Sequence, residues 1–508
     1  MPEQFFSKLK SMVKREWKIA FLSTVIIGFL THMYVFTNML LNHDGINNMH
    51  HPQNHLSSGR FFLAPFSGIS SFFNLPWING LLSIFYIALT VVALTEFYKL
   101  KKTPSIVLVA GIMVTFPTIA STFAYMYTAD GYMAGLLLAI LSLVVTKKFK
   151  LGFLPSSFLL FISVGIYQAN LPIVLTAVLV WLIIELLFKQ NVKETLQLFI
   201  QYVIMISIGM LLYVLLFKSY QNTRGIVDYQ GLNSVGFEIS MIPEQLKKIV
   251  NRFLDFFGRG FVSDMPINLF EILNIFLAIL ILIAVIVAII RNIQHLSLLK
   301  TVSIILAGLL LPVAAFVLYF VSPGVSYHML MVLALAFLYI FPIIIYDRLQ
   351  EPVLSVKVFS WSAVVLLFLI VFNFAIISNI SYFNMELRYE KSYAFMNRLL
   401  DRIEQLEGYD NVSQVAILGY HHVETNLSSN KVRENIPGMT GVIGETFLSA
   451  PYHFTGMWAT FFGENFSFVN QDRLSELREN DLVQEMNAWP AKESVVIIDD
   501  VVVIKLSE

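Results

Sequence analysis

The run Ile279–Ile290 carries no polar side chain, and it lies inside a longer apolar stretch able to cross the roughly 30 Å hydrocarbon core of a bilayer. Comparable runs recur through the first three quarters of the chain. In lipid, such a segment can satisfy its backbone N–H and C=O groups only by hydrogen bonds closed within a helix. The expectation is therefore an α-helical polytopic membrane protein. Composition agrees: of 508 residues, 57% are hydrophobic and 13% charged, with 44 phenylalanines, a balance foreign to soluble globular chains. The absence of cysteine excludes disulfides and thiolate metal sites, so any water-facing part must be held by an ordinary core. Redox chemistry is disfavoured for the same reason.

Apolar windows place spans near 19–41, 76–98, 105–122, 129–146, 151–167, 169–188, 197–217, 269–290, 300–320, 328–346 and 358–378, about eleven in all. The first follows a basic leader (Lys8, Lys10, Lys14, Arg15, Lys18) and is too long for a signal-peptide core, so it reads as a retained anchor. With the N-terminus inside, the basic clusters Lys99/Lys101/Lys102, Lys147/Lys148/Lys150, Lys189/Lys193, Arg291/Lys300 and Arg348/Lys357 all fall on the inner side. Merging the two short spans that meet at Gln168 would throw every later cluster outside. The charge pattern thus supports eleven spans and an external C-terminus.

Two outer loops are long, 42–75 and 218–268. Within the second, Ile242–Phe257 places Leu246, Ile249, Val250, Phe253, Leu254 and Phe257 at helical spacing, with Pro243 early and Lys247, Lys248 and Arg252 opposite. That pattern suits a helix lying in the membrane interface. After Ser378 acidic residues outnumber basic ones roughly two to one and no apolar run is long enough to span. The division expected is a membrane domain over 1–378 and a small extracytoplasmic α/β domain over 379–508. It should open with a helix at Glu386–Leu406, pass through a buried strand at Val412–Leu418, and close with a hairpin of Val495–Ile498 and Val501–Leu506 around Asp499-Asp500.

Charged residues avoid the middle of the spans, whereas ion-coupled transporters place ionisable groups near the midplane. Chemistry is expected instead at the outer ends. Asp44, in Asn42-His43-Asp44-Gly45, stands where the first span leaves the bilayer; the bland alternative is a solvated acid in a turn. Asp130 closes the segment Tyr125 to Gly131 at the start of the fourth span, and its bland role is an acid favoured by a helix N-terminus. Arg60, in Ser58-Gly59-Arg60-Phe61, is the sole Lys or Arg of the first outer loop. It suits a phosphate, or else snorkels at the interface. Tyr127 lies in the Asp130 segment, Tyr167-Gln168 fills a very short outer turn, and Arg224 and Arg259 belong to the second long loop. The last two are candidate phosphate contacts or plain interface anchors. His43, His50, His51 and His55 raise a metal site, but no set of partner ligands completes a shell, and hydrated loop histidines account for them better.

On Asn42-His43-Asp44-Gly45, Ser58-Gly59-Arg60-Phe61, the tyrosine-rich segment ending at Asp130 and Tyr167-Gln168, the chain resembles the Gtr-type bacterial membrane glucosyltransferases that decorate O-antigens and related surface polysaccharides. More widely it resembles the GT-C superfamily. The order of features along the membrane part carries this likeness more than any one short motif. The resemblance implies a GT-C-like fold in the bacterial cytoplasmic membrane. It implies transfer of a sugar, glucose in that family, from a polyprenyl-phosphate donor to a hydroxyl of a cell-envelope glycan, with inversion. In that reading Asp44 is the general base, and Arg60, with Arg259 and Arg224, holds the donor phosphate. Asp130, Tyr127, Tyr167 and Gln168 hold sugar or acceptor. A divalent cation at Asp130 is the alternative to hydroxyl binding, but the first-loop acid has no acidic neighbour, and a lone second carboxylate makes a poor cation shell. Nucleic acid is not an expected partner. Competing readings are an envelope-polysaccharide polymerase or lipid-linked glycan flippase, and a non-enzymatic membrane scaffold acting through its acidic tail.

Overall fold

The structure is a computed structural model that describes residues 2–189, 191–224, 239–262, 264–292, 294, 296–349, 353–423, 427, 431–443, 448 and 450–507. Among these, eight helices are long and apolar enough to cross a membrane: Arg15–Thr37, Pro76–Tyr98, Met126–Lys148, Asn170–Phe188, Val192–Arg224, Leu269–Asn292, Leu298–Ala315 and Leu354–Glu404. The pair Thr103–Thr115 and Pro117–Phe123, bent by 42°, is together long and apolar enough to count with them. Pro117 causes the bend, because it offers no N–H to the preceding turn and forces Phe116 into extended backbone at ψ 136°. The perimeter is apolar: Leu30 is 79% exposed, Leu309 68% and Trp361 72%. Such a surface is stable only where the surrounding solvent is itself hydrocarbon.

The two remaining segments expected to span are shorter than anticipated. Phe153–Ile166 is a helix of 14 residues, about 21 Å long. Its chain stops at Tyr167, turns through Gln168, and restarts in Asn170–Phe188, so the pair meeting at Gln168 is two helices rather than one. The segment 328–346 is helical only from Ala336 to Arg348; Met329–Met331 and Leu333–Leu335 form 3-10 turns instead. Irregular backbone within a membrane bundle survives where it borders a polar cavity or is bonded by neighbours. Both conditions hold here, since Thr118 Oγ1 donates to the Met329 carbonyl at 2.7 Å and His328, Leu330 and Met331 line the cavity described below.

Basic residues gather at one end of the bundle in a connected set of contacts. Lys14 pairs with Glu96 at 2.7 Å and Lys101 with Glu16 at 2.9 Å. The Asp347 carboxylate accepts from the Lys101 and Lys102 backbone N–H groups. Arg348 donates to the Tyr98 carbonyl and meets Glu185, which also pairs with Lys189. Across the middle, His32 is fully buried, with Nε2 2.8 Å from the Val114 carbonyl and Nδ1 2.6 Å from the Tyr382 hydroxyl. A carbonyl only accepts, so Nε2 carries the proton and Nδ1 receives one from Tyr382. One imidazole thereby ties the first, third and last long elements together.

Leu354–Glu404 runs unbroken for 51 residues, roughly 75 Å, and therefore passes through the expected boundary at Ser378. No Gly or Pro interrupts it, and the change of composition marks a change of surroundings along one helix. Ile242–Arg259 is the expected amphipathic helix. Ile249 and Phe256 are buried, while Leu246, Val250 and Leu254 are 40%, 53% and 61% exposed. The tail contains a four-stranded sheet in the order β2-β1-β4-β3, with β1 Gln414–Leu418, β2 Ser467–Phe468, β3 Val495–Ile498 and β4 Val501–Lys505. β1 lies parallel to β2 and β4, and β3 and β4 form the expected antiparallel hairpin, with Asp499 turning at φ 55°.

Candidate active site

At the end opposite the basic network, a cavity of about 780 Å³ is lined by His43, Asp44, Asn48, His55 and Arg60 from the first long loop. Tyr127 and Tyr132 come from the helix Met126–Lys148, Tyr167 and Gln168 from the short turn, and Tyr213 and Phe217 from the helix Val192–Arg224. Val321, Ser322, Gly324, His328, Met331 and Thr440 add to the wall. Distant parts of the chain thus bring Asp44, Arg60, Tyr127, Tyr167 and Gln168 to one space.

Asp44 follows the Asn42 side chain, whose Oδ1 accepts from the backbone N–H groups of Asp44 and Gly45 at 3.1 and 2.8 Å. This local turn leaves the carboxylate 41% exposed, with Oδ2 3.4 Å from His43 Nε2. A hydrogen-bonded ladder then runs down the loop. Asn48 Nδ2 donates to the Asp44 carbonyl, Gln53 Nε2 to Asn48 Oδ1, and Gln53 Oε1 meets His55 Nε2 at 2.9 Å. The Arg60 N–H donates to the His55 carbonyl at 3.1 Å. The carboxylate and the guanidinium are therefore spaced by a braced loop rather than a floppy one. Burial, helped by the nearby Arg60 charge, pushes the His55 imidazole down to about 4, so it is neutral at physiological pH.

Gly59 makes the approach to Arg60 possible. It adopts φ +73°, and a Cβ there would stand 2.5 Å from the Tyr213 hydroxyl and 2.9 Å from Gln168 Nε2. Those two groups instead grip the loop: Gln168 Nε2 donates to the Ser58 carbonyl at 2.7 Å and to Tyr213 Oη at 3.0 Å, and the Tyr213 hydroxyl donates to the Gly59 carbonyl at 3.2 Å. The Arg60 guanidinium then lies over two rings, 5.7 Å from Tyr132 and 5.5 Å from Tyr167. The rings themselves stack at 4.3 Å and 10°. Aromatic faces hold a cation without neutralising it, and Arg60 lines the cavity as a positively charged group.

The other expected residues are placed differently. Asp130 is 1% exposed and is not among the cavity-lining residues. It receives a hydrogen bond from Asn79 Nδ2 at 3.3 Å and one from Ser70, so it secures the far side of the first loop. Arg224 is the exposed last residue of its helix and is not among the cavity-lining residues; the residues that follow it, 225–238, fall outside the described residues. Arg259 donates to the Met265 carbonyl at 2.6 Å and borders a neighbouring open cavity of about 750 Å³ with Lys248, Arg252 and Tyr319. The two cavities share Gly324, Val325 and Ser326. Among the described residues no three His, Asp or Glu side chains converge as a metal set.

Sequence reading did not single out Tyr132, Tyr213, His328 or Thr440 as site residues. Tyr132 stands two residues after Asp130, and His328 is an isolated polar ring at the edge of an apolar run. Tyr213 lies within a hydrophobic run, where nothing distinguishes a cavity-facing phenol from one at the lipid interface.

The architecture defines a multi-pass helical membrane protein with a polar cavity, bearing a carboxylate and a guanidinium, at one end of its bundle. A family model described as glucosyl transferase GtrII matches residues 33–368. The chain belongs to that family and is a glycosyltransferase, in agreement with the resemblance read from its motifs. No curated protein and no solved structure matches it.

Proposed function

We propose that this chain is a GT-C-type glucosyltransferase of the bacterial cytoplasmic membrane, moving glucose from a polyprenyl-phosphate donor to a hydroxyl of a cell-surface glycan. The observation carrying this reading is that Asp44 and Arg60, on one braced loop, face the same cavity. The basic network is taken as the cytoplasmic end, following the bias of inner loops toward Lys and Arg. The cavity and the C-terminal region then lie outside, where nucleotide sugars are absent and a lipid-borne donor is needed. The exposed apolar face of Ile242–Arg259 supports a lipid groove beside the two cavities.

The reaction requires little machinery. The acceptor oxygen attacks the anomeric carbon as the bond from that carbon to the phosphate oxygen breaks, its electron pair leaving on the phosphate. The acceptor proton passes to the Asp44 carboxylate. The departing phosphate is already an anion, so no acid is needed to protonate it, in contrast to the two carboxylates of most glycoside hydrolases. Arg60 offsets the charge developing on that phosphate, while Tyr127, Tyr167 and Gln168 border the sugar. Arg259 serves the same phosphate from the neighbouring cavity, and Asp130 works by positioning the loop. In-line attack inverts the anomeric centre.

Membranes containing the protein should move labelled glucose from polyprenyl phosphate to glycan, and Asp44→Asn should reduce the rate by roughly 10²–10⁴-fold. Normal expression with undiminished transfer in Asp44→Asn would sink the proposal. A flippase, which forms no glycosidic bond, would give no transfer in the parent or in the variant.

A further inference from the structure

Every described residue lining the cavity lies within the family match at 33–368 except Thr440. That exception belongs to a segment of the C-terminal region folded against the Asp44 loop. The Thr440 carbonyl accepts from Ser121 Oγ at 2.9 Å, and the Val442 carbonyl accepts from Asn384 Nδ2 and Arg388 Nη1, both at 2.8 Å. Further along, the short helix Pro451–Met457 packs on the 3-10 turn Gly45–Asn48 directly after Asp44. Asn47 Nδ2 reaches the Tyr452 carbonyl at 3.5 Å, and a Cβ on Gly456 would stand 2.4 Å from Asn47 Oδ1. An array of edge-on rings follows: Tyr125 to His43 at 6.1 Å, His43 to His453 at 6.0 Å, and His453 to Tyr452 at 4.4 Å. Tyr452 is 49% exposed, and its phenol feels the Asp44 charge.

We infer that residues 439–443 and 450–458 form the acceptor subsite, with the exposed Tyr452 ring stacking on the pyranose whose hydroxyl Asp44 deprotonates. The inference rests on the transfer reaction proposed above. A pyranose has an apolar face of C–H groups and a polar rim, so an exposed aromatic ring beside a solvent-facing carboxylate matches both. At the other end, Arg60 on its two tyrosines matches the phosphate of the donor. The division also follows the family boundary: the shared region holds the donor end, and the part outside it borders the nucleophile. Acceptor choice would then be set by residues that the family match does not include.

The test uses the full-length protein in membranes, with glucose-labelled polyprenyl phosphate as donor and the purified surface polysaccharide of the source cell as acceptor. Tyr452→Ala should raise the acceptor KM at least tenfold, leave the donor KM within twofold and leave the thermal midpoint unchanged, while Tyr452→Phe, which keeps the ring, restores the acceptor KM. If Tyr452→Ala does not fold, Tyr452→Gln gives the same readout. An acceptor KM within twofold of the parent, a Phe variant as poor as Ala, or donor and acceptor constants rising together with a lowered midpoint would each overturn the inference. Asp44→Asn, run in parallel, separates the two failures: transfer retained there removes Asp44 as the base on which the proposed reaction rests, whereas transfer lost there confines a negative Tyr452 result to the subsite.

Discussion

Arg60 shows how much a single charged residue depends on its backbone and its neighbours. The stacked Tyr132–Tyr167 pair holds its guanidinium over the cavity, so Arg60→Ala should weaken donor binding by about 1.5–3 kcal/mol, roughly ten- to a hundredfold in donor KM. Steady-state kinetics with varied donor check this; an unchanged donor KM would remove Arg60 from the phosphate site. Gly59→Ala should be harmful without touching the chemistry directly. A left-handed residue at φ +73° with a Cβ 2.5 Å from Tyr213 Oη costs about 1–3 kcal/mol and pushes the loop off Gln168. A lowered midpoint in detergent together with lowered transfer is the expected pair of results. Asp44 and Arg60 were legible in the sequence because a charged residue just beyond a span stands out against its apolar surroundings. Tyr213 was not, because side chains inside an apolar run reveal their facing only when neighbouring helices are placed.

Elements follow the same division. The amphipathic helix Ile242–Arg259 was readable from spacing alone, since apolar residues repeating with the helical period define one face. Its exposed apolar side carries Val250 and Leu254, both more than half exposed. The double change Val250→Asp and Leu254→Asp should therefore impair use of a long-chain polyprenyl donor much more than use of a short-chain, water-soluble donor analogue. Equal loss with both donors would place the helix outside the lipid groove. The break at Phe116-Pro117 and the 3-10 turns over 329–335 were less legible. Hydropathy records that a segment prefers lipid and is silent about where the backbone bends to border a cavity. The long final helix misled in the opposite sense: its polarity changes near Ser378, yet hydrogen bonding along a helix continues across any change of solvent until a breaker intervenes.

For the molecule as a whole, the lack of native cysteine permits a clean test of sidedness. His50→Cys should react with a membrane-impermeant maleimide in intact cells, and Lys150→Cys only after permeabilisation. The reverse pattern would put the cavity in the cytosol and end the lipid-donor scheme. The domain outside the bundle should also be acid-sensitive. Burial lowers His421 and His453 from an ordinary 6.5 to about 4, as it does His55 in the first loop. Above pH 6.5 these rings are neutral in both folded and unfolded chains and contribute no slope. Between 6.5 and 4 the unfolded chain takes up protons that the folded one refuses, so stability falls as pH falls through that window. Thermal midpoints measured from pH 7 to 4 should decline, and His453→Gln should shallow the decline.

By itself the sequence determined that the chain would be a bundle of apolar helices, where its basic loops would gather, and that an acid and an arginine would stand on one long loop. Those features are local, set by burial and charge over a window of residues. Only the tertiary structure decided that Asp44, Arg60, Tyr213 and Thr440 would meet around one cavity, that Asp130 would turn away from it, and that the C-terminal region would fold back beside Asp44. The sequence separations are too great for any local pattern to encode, and the meeting depends on how whole helices pack.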